Sequence, residues 1–215
     1  MSWKSKLFNL FPLFHILLIL VCIYHFVLNP NPLSFVSIFL GIYIFPLLCF
    51  RLFVILYPIN EGESDIFGGG FSPWWAGHQI QLLFVAMPRL ESLLIIIPGL
   101  YSLWLRCWGS KIGKQVYWTP GVVNYDRNLL EVGDNAIFGE RSLTVAHVIT
   151  PKKGKGILKI AKVRVGNRAF VGAGSVLSPG VTMDEKTFVR AGSNVFPDTH
   201  IRKDGHTGKI VEVDG

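Results

Sequence analysis

The chain has 215 residues, half of them hydrophobic, and a formal charge of +7. Its three cysteines, Cys22, Cys49 and Cys107, lie far apart in apolar surroundings, which excludes a disulfide framework and zinc-ligand spacing. The charge is uneven: residues 1–107 hold five Lys/Arg against four Asp/Glu, and residues 108–215 hold sixteen against ten. A basic second half suits anionic partners such as nucleotides, phosphorylated cofactors or lipid headgroups, and no nucleic-acid-binding motif accompanies it.

Residues 7–28 form the first element, an apolar run long enough to cross a bilayer, which takes about 20 helical residues. Pro12, His15 and His25 are its only awkward members, and the two histidines are expected to face a partner helix. The uncharged connector NPNP (29–32) leads into a second apolar run over 33–50, ended by Arg51. A secretory signal has a shorter apolar core and a small-residue cleavage site. Residues 1–59 therefore read as a transmembrane helical hairpin, with a buried helical pair in a soluble protein as the rival. Lys4, Lys6, Arg51 and the basic second half place both ends in the cytoplasm by the positive-inside tendency. The protein is then integral to the cytoplasmic membrane.

Residues 60–110 read as interfacial and linker structure. NEGESDIFGGGFSP (60–73) is acidic, then glycine-rich, and is expected to be a loop. In the apolar stretch that follows, Arg89, Glu91, Pro88 and Pro98 argue against a third span. Trp74, Trp75, Trp104 and Trp108 suit a membrane–water boundary. Two short helices lying in that boundary are expected, or else a re-entrant segment lining an acceptor entrance. His78, in WWAGHQIQ, is a candidate contact to the acceptor or an interfacial structural histidine.

Residues 111–215 carry the strongest signal. Val165, Val171, Leu177, Met183, Val189, Val195 and Ile201 begin successive six-residue units, the first three with a small residue second (Gly166, Gly172, Ser178) and the first six with a small or β-branched residue fifth. A period of six is the mark of a hexapeptide β-solenoid and fits neither a helix near 3.6 nor a strand near 2. Ile112 and Trp118, then Val132, Phe138 and Thr144, carry the same period in an earlier phase. Three units make one triangular coil, so 112–201 amounts to four to five coils. NYDRNLLE (124–131) has eight residues where six fit, and TPKKGKGILKIAKVR (150–164) is too polar and basic for a wall. Both are expected to protrude, and long loops interrupting a regular scaffold are usually functional.

The repeat together with LTVAHVIT (143–150), the basic stretch, and VRVGNRAFVGAGSVLSPGVTMDEK (163–186) resembles the maltose and galactoside O-acetyltransferases, members of the hexapeptide-repeat acyltransferase family. The resemblance covers less than half the chain. It implies a mainly β fold, a left-handed parallel β-helix, here preceded by two transmembrane helices and interfacial helices. It also implies a homotrimer with the active site between neighbouring solenoids, and acyl transfer from acetyl-CoA or another acyl-CoA with no metal. His147 matches the family's general base, and a group titrating near neutrality suits that task. Glu140 and Asp126 are the carboxylates near enough to hold its second nitrogen. Asn124 and Asp126 match acceptor-positioning residues. Ala173 and Ala191 match positions where backbone approaches the pantetheine arm, and Arg190, Arg202 and Lys203 are the cations for its phosphates. Phe196 and Pro197 stand where the family often has a Thr-Lys pair, which leaves an acyl carrier protein open as donor.

The acceptor expected is a hydroxyl or amine on a membrane-associated molecule such as a lipid-linked sugar or glycolipid. The alternative is a non-catalytic β-helix that scaffolds a membrane complex. Gamma-type carbonic anhydrases share the repeat and hold zinc with three histidines across a subunit boundary. Here His200 and His206 fall at the exit of the array, several coils from His147.

Overall fold

The computed structural model describes residues 2–202. The chain divides into two compact units, one made of residues up to Ile59 with Ile66–Ala86, the other of Asn60–Asp65 with the chain from Met87 onward.

The first unit is helical: α1 (Trp3–Phe8), α2 (Phe11–Leu28), α3 (Pro32–Phe39), a π-helical turn (Leu40–Ile44), α4 (Phe45–Leu56) and α5 (Pro73–Ala86). The NPNP connector works as a cap. The Ser34 amide donates to Asn31 Oδ1 (2.9 Å), the Asn31 amide donates to Ser34 Oγ (3.1 Å), and Pro32 opens the helix where a missing N–H costs nothing. Helix runs Trp3–Leu28 and Pro32–Leu56 are long and apolar enough to cross a membrane by length and composition. The second extends beyond the expected 33–50, so Arg51 lies inside α4 rather than at its end.

The π-helical turn has a local cause. The Phe45 amide donates to Leu40 O, one residue out of α register, and the next donor is missing because Pro46 has no N–H. His15 Nε2 supplies a bond to the Gly41 carbonyl at 2.9 Å, tying α2 to the turn. His25, by contrast, is exposed. Gly77 lets α5 press against α4, since a Cβ there would sit 2.8 Å from Ile59 Cδ1 and 3.2 Å from Phe50 Cε2.

The second unit holds α6 (Arg89–Ile95), α7 (Leu100–Trp108) and a three-sided parallel β-solenoid. Its inward residues stack in register. Ile112, Val132, Val165, Met183 and Ile201 climb one side. Trp118, Phe138, Val171 and Val189 climb the second. Asn124, Thr144, Leu177 and Val195 climb the third. Four coils and the start of a fifth result. Coils approach closely at the second place of each unit: a Cβ on Gly139 or Gly172 would lie 2.4 Å from the amide nitrogen of Ala173 or Ala191 in the next coil.

Helix α7 covers the inward residues of the first coil. Tyr101 packs edge-on against Trp118 (centroids 5.3 Å apart), Trp118 stacks on Phe138 (4.4 Å), and Trp118 Nε1 donates to Ser102 Oγ at 2.8 Å. An open solenoid end exposes both apolar core and strand backbone, and a covering helix removes that liability. Trp104 and Trp108 are accordingly core residues of this unit, and Trp74 is buried in the helical one, rather than lying at a boundary.

Two further expectations are corrected. Residues 124–131 do not protrude: Asn124 belongs to strand β4 (Val123–Asn124), Leu130 and Glu131 to β5 (Leu130–Val132), and the extra residues fold inward. The stretch 150–164 does leave the wall as expected, but as a hairpin of β8 (His147–Lys152) and β9 (Lys155–Ile160) outside the three parallel sheets, and Val163 and Arg164 are already back in the wall. The acidic segment expected to be a loop contributes β1 (Gly62–Asp65), antiparallel to β9. Three of the six basic residues in 150–164 are paired with carboxylates. Lys159 pairs with Asp198, Lys162 Nζ donates to Glu131 at 3.0 Å, and Arg164 Nη2 donates to Glu61 at 2.8 Å.

Candidate active site

His147 is the first residue of β8, at the corner where the chain leaves the second coil. Asp126 lies in the turn after Asn124, which is closed by the Leu129 amide donating to the Asp126 carbonyl at 2.9 Å. The two side chains meet: His147 Nδ1 is 2.7 Å from Asp126 Oδ2, and the Ala146 amide donates to the same oxygen at 2.8 Å. The Asp126 side chain is 3% exposed and that of His147 18%. An ionised carboxylate only accepts, so Nδ1 carries the proton of this bond and Nε2 is the basic nitrogen of the neutral ring.

Beneath the turn lies a buried ion pair. Arg127, fully buried, donates from Nε to Glu91 Oε1 (2.7 Å) and from Nη2 to Glu91 Oε2 (2.5 Å). Trp104 Nε1 donates to Glu91 Oε1 at 2.7 Å, and Ser110 Oγ donates to the Arg127 carbonyl at 2.6 Å. Burial pulls the Arg127 guanidinium down, but the Glu91 charge and hydrogen bonds outweigh it, so the group stays charged. Tyr101 is fully buried; burial first, then the Glu91 charge, pushes its hydroxyl far above the ordinary value and keeps it protonated.

Asn124 is corrected as an acceptor-positioning residue. It is wholly buried, its amide donates to the Tyr101 hydroxyl (2.8 Å), and its carbonyl accepts from Thr144 Oγ1 (2.5 Å). Glu140 does not hold His147: it is exposed, pairs with Arg141 at 3.3 Å, and occupies the preceding corner. Ala173 and Ala191 stack on that same corner, where the Gly174 amide donates to Glu140 O and the Gly192 amide to Ala173 O, both at 2.8 Å. Arg190 is exposed beside them.

Arg202 sits on a third corner, its Nε donating to His200 Nδ1 at 3.1 Å, with His200 Nε2 2.7 Å from Asp184. His78 belongs to the helical unit, stacked on Trp74 at 5.2 Å. Lys203 and His206 lie outside the described residues. Among the described residues, no group of three or more His, Cys, Asp or Glu side chains is placed to hold a metal. Glu91 entered the sequence reading only as a charge against a third span, and Arg127 not at all; the signal for Glu91 was a carboxylate just before the apolar run SLLIII, whereas polar NYDRNLLE gives none for Arg127.

No protein-family model and no curated protein matches the chain. Solved structures similar to it include a maltose O-acetyltransferase from Clostridium difficile 630, 17% identical, covering 54% of this chain and 79% of that one with a TM-score of 0.36. A galactoside acetyltransferase in complex with coenzyme A is 14% identical, covering 54% and 76%, with a TM-score of 0.37. A hexapeptide-repeat-containing acetyltransferase from Vibrio cholerae O1 biovar eltor, complexed with acetyl coenzyme A, is 17% identical over 63% and 89%, with a TM-score of 0.43. All three TM-scores fall below 0.5, and the β-solenoid described above rests on the chain's own strand pairings.

Proposed function

We propose that this chain is a membrane-anchored acyltransferase of the hexapeptide-repeat type. It moves an acyl group, most simply acetyl, from CoA to a hydroxyl or amine of a membrane-associated acceptor. The observation that carries this reading is the His147–Asp126 pair at the corner where the basic hairpin leaves the solenoid. Nε2 of His147 takes the acceptor's proton as its oxygen or nitrogen bonds to the thioester carbon. The tetrahedral centre collapses with cleavage of the C–S bond, and the imidazolium returns the proton to the departing CoA sulfur. Asp126 holds the ring in the tautomer that leaves Nε2 basic and stabilises the charge it gains.

The donor lies along the corner of Ala173, Ala191 and Arg190, an acyl-CoA or an acyl carrier protein. That corner and the corner of His147 are successive edges of one prism, so a single chain does not close a site around both. A homotrimer of left-handed solenoids, as the family resemblance implies, supplies the second wall. One face carries a row suited to it: Tyr117, Ile137, Phe170 and Phe188 lie in register on successive coils, all pointing outward and exposed.

Membrane anchoring is supported by the surface of the two long helices. Only 6% and 28% of their most apolar windows are buried, whereas a core helix of a soluble protein is mostly buried. Leu13, Leu17, Leu20, Leu52 and Ile55 all face outward, an apolar surface of a size that marks a lipid or protein contact. Residues 1–59 act as the hairpin anchor of a cytoplasm-facing domain, and an anchored enzyme serves a membrane-bound acceptor better than a free sugar.

The test is to incubate membranes containing the protein with labelled acetyl-CoA, longer acyl-CoA or acylated carrier protein, then look for label in the lipid fraction. Incorporation is expected, with a drop of about 10²–10⁴-fold for His147→Ala. A His147→Ala protein that retains the wild-type rate at saturating donor would overturn the reading.

A further inference from the structure

Glu91 stands outside the repeat, on α6, and acyl transfer makes no obvious demand on it. It is nonetheless almost wholly buried, and both of its oxygens are engaged by the residue next to Asp126 in the chain. We propose that Glu91 is a positioning residue, which keeps the Asp126 carboxylate for His147 by holding Arg127. The proposal rests on the acyltransferase reading above.

A buried guanidinium requires a counter-charge, because desolvation of an unpaired ion is far costlier than of a paired one. Arg127 meets that demand in a forked contact with Glu91, and Trp104 Nε1 fixes the carboxylate from the other side. The guanidinium has five N–H groups and cannot shed its proton. With Glu91 neutralised, the carboxylate adjacent in sequence is Asp126, whose charge already acts on Arg127. Arg127 would then draw Asp126 into a forked contact of its own, and His147 Nδ1 would lose its acceptor. The ring would be free to turn or to change tautomer, which removes the basic lone pair from Nε2.

This mechanism has an unusual consequence. Removing Glu91 alone harms catalysis, whereas removing both charges spares it, since the competitor for Asp126 leaves as well. A merely structural ion pair shows that reversal in folding yield and stability, but not in turnover per mole of folded protein. Replacing both members of a buried pair by neutral groups of similar size is often tolerated.

The experiment compares full-length Glu91→Gln, Glu91→Gln/Arg127→Met, Asp126→Asn and His147→Ala proteins in membranes. Turnover is measured from labelled acetyl-CoA into the lipid fraction, per mole of folded protein recovered by size exclusion, together with the KM for acetyl-CoA. Glu91→Gln is expected to lower turnover at least about 10-fold, towards the loss seen in Asp126→Asn, with KM unchanged. The double variant is expected to return within about 3-fold of wild type. If Glu91→Gln yields no folded protein, Glu91→Asp replaces it, keeping the charge but withdrawing it from Arg127, and a turnover between those of wild type and Asp126→Asn is expected.

A Glu91→Gln (or Glu91→Asp) protein at the wild-type rate, or a double variant as slow as Asp126→Asn, overturns the proposal while a slow His147→Ala leaves acyl transfer standing. His147→Ala at the wild-type rate overturns both.

Discussion

Asp126→Asn probes the site with the least change in shape. The side chain keeps its volume and one carbonyl oxygen, and that oxygen can still accept from the Ala146 amide, which donates to Oδ2 at 2.8 Å in the wild type. Ala146 and His147 share that oxygen in the wild type, so the Asn carbonyl still accepts from His147 Nδ1 and the ring keeps its tautomer. What is lost is the negative charge. The imidazolium formed when Nε2 takes the acceptor's proton then has no counter-ion beside it. Turnover should fall by about 10²–10³-fold, the scale of a lost general base, which corresponds to about 2.7–4.1 kcal/mol of transition-state stabilisation. Asp126→Ala removes the orienting acceptor as well as the charge and should lose at least as much turnover as Asp126→Asn. The assay is the initial rate of acyl incorporation at saturating acetyl-CoA, with the donor KM followed in parallel and expected to stay constant. An Asp126→Asn protein within twofold of wild type, or an Asp126→Ala protein clearly faster than Asp126→Asn, would refute this role for the carboxylate.

Three other outcomes follow from separate parts of the molecule. Gly172→Ala places a methyl group 2.4 Å from the Ala191 amide nitrogen, so the coils must part; stability should drop by about 1–3 kcal/mol, and the KM for acetyl-CoA should rise because Ala191 lines the proposed donor corner. Phe170→Asp combined with Phe188→Asp puts two carboxylates in the exposed outward row; if the proposed trimer forms through that row, the detergent-solubilised variant should be monomeric by light scattering where the wild type is trimeric, while the β-solenoid circular dichroism persists. At Glu131, burial pushes the carboxyl up, but the hydrogen bond from Lys162 and the charges of Lys162 and Lys111 outweigh it and hold it below its ordinary value of 4.5. A depressed carboxyl contributes stability above that value and loses it as pH falls through the folded one, so the Tm gap between wild type and Glu131→Gln should be widest near neutrality and close in acid.

The solenoid was legible because its determinant is local and repetitive: one aliphatic residue in six faces inward, and the second place must be small where coils touch. Even there, Asn124 misled. As a polar residue opening an eight-residue unit it reads as part of a bulge, yet it occupies the third inward place of the first coil, its amide satisfied by Tyr101 and Thr144. Its partner Tyr101 is 23 residues away on a helix, and no periodicity reports such a contact. The same limit hid β1. GESD has poor strand propensity and its partners on β9 lie more than 90 residues further on, so only tertiary pairing makes it a strand. His147 was singled out through the family resemblance of the segment around it, and Asp126 as one of two nearby carboxylates. Choosing between Asp126 and Glu140 needed the corner assignment, which depends on how many residues the buried turn absorbs.

The tryptophans show why composition alone misplaced the region before the solenoid. Trp104 and Trp108 combine large apolar area with one donor, a description that fits a lipid headgroup layer and a capped solenoid end equally well. The end of a β-solenoid needs a cover, and α7 provides one with Tyr101, Trp104, Leu105 and Trp108 buried. Trp104 needs an acceptor for its indole N–H, and the Glu91 carboxylate on α6 provides it. A buried carboxylate in turn needs a cation, and the one it meets is Arg127, in the turn that presents Asp126 to His147. Each step answers the unsatisfied group created by the one before. The helices that close the solenoid end are therefore coupled to the ring nitrogen proposed to do the chemistry, and a substitution at Trp104 should be felt at His147 through Glu91 and Arg127 rather than through the solenoid wall.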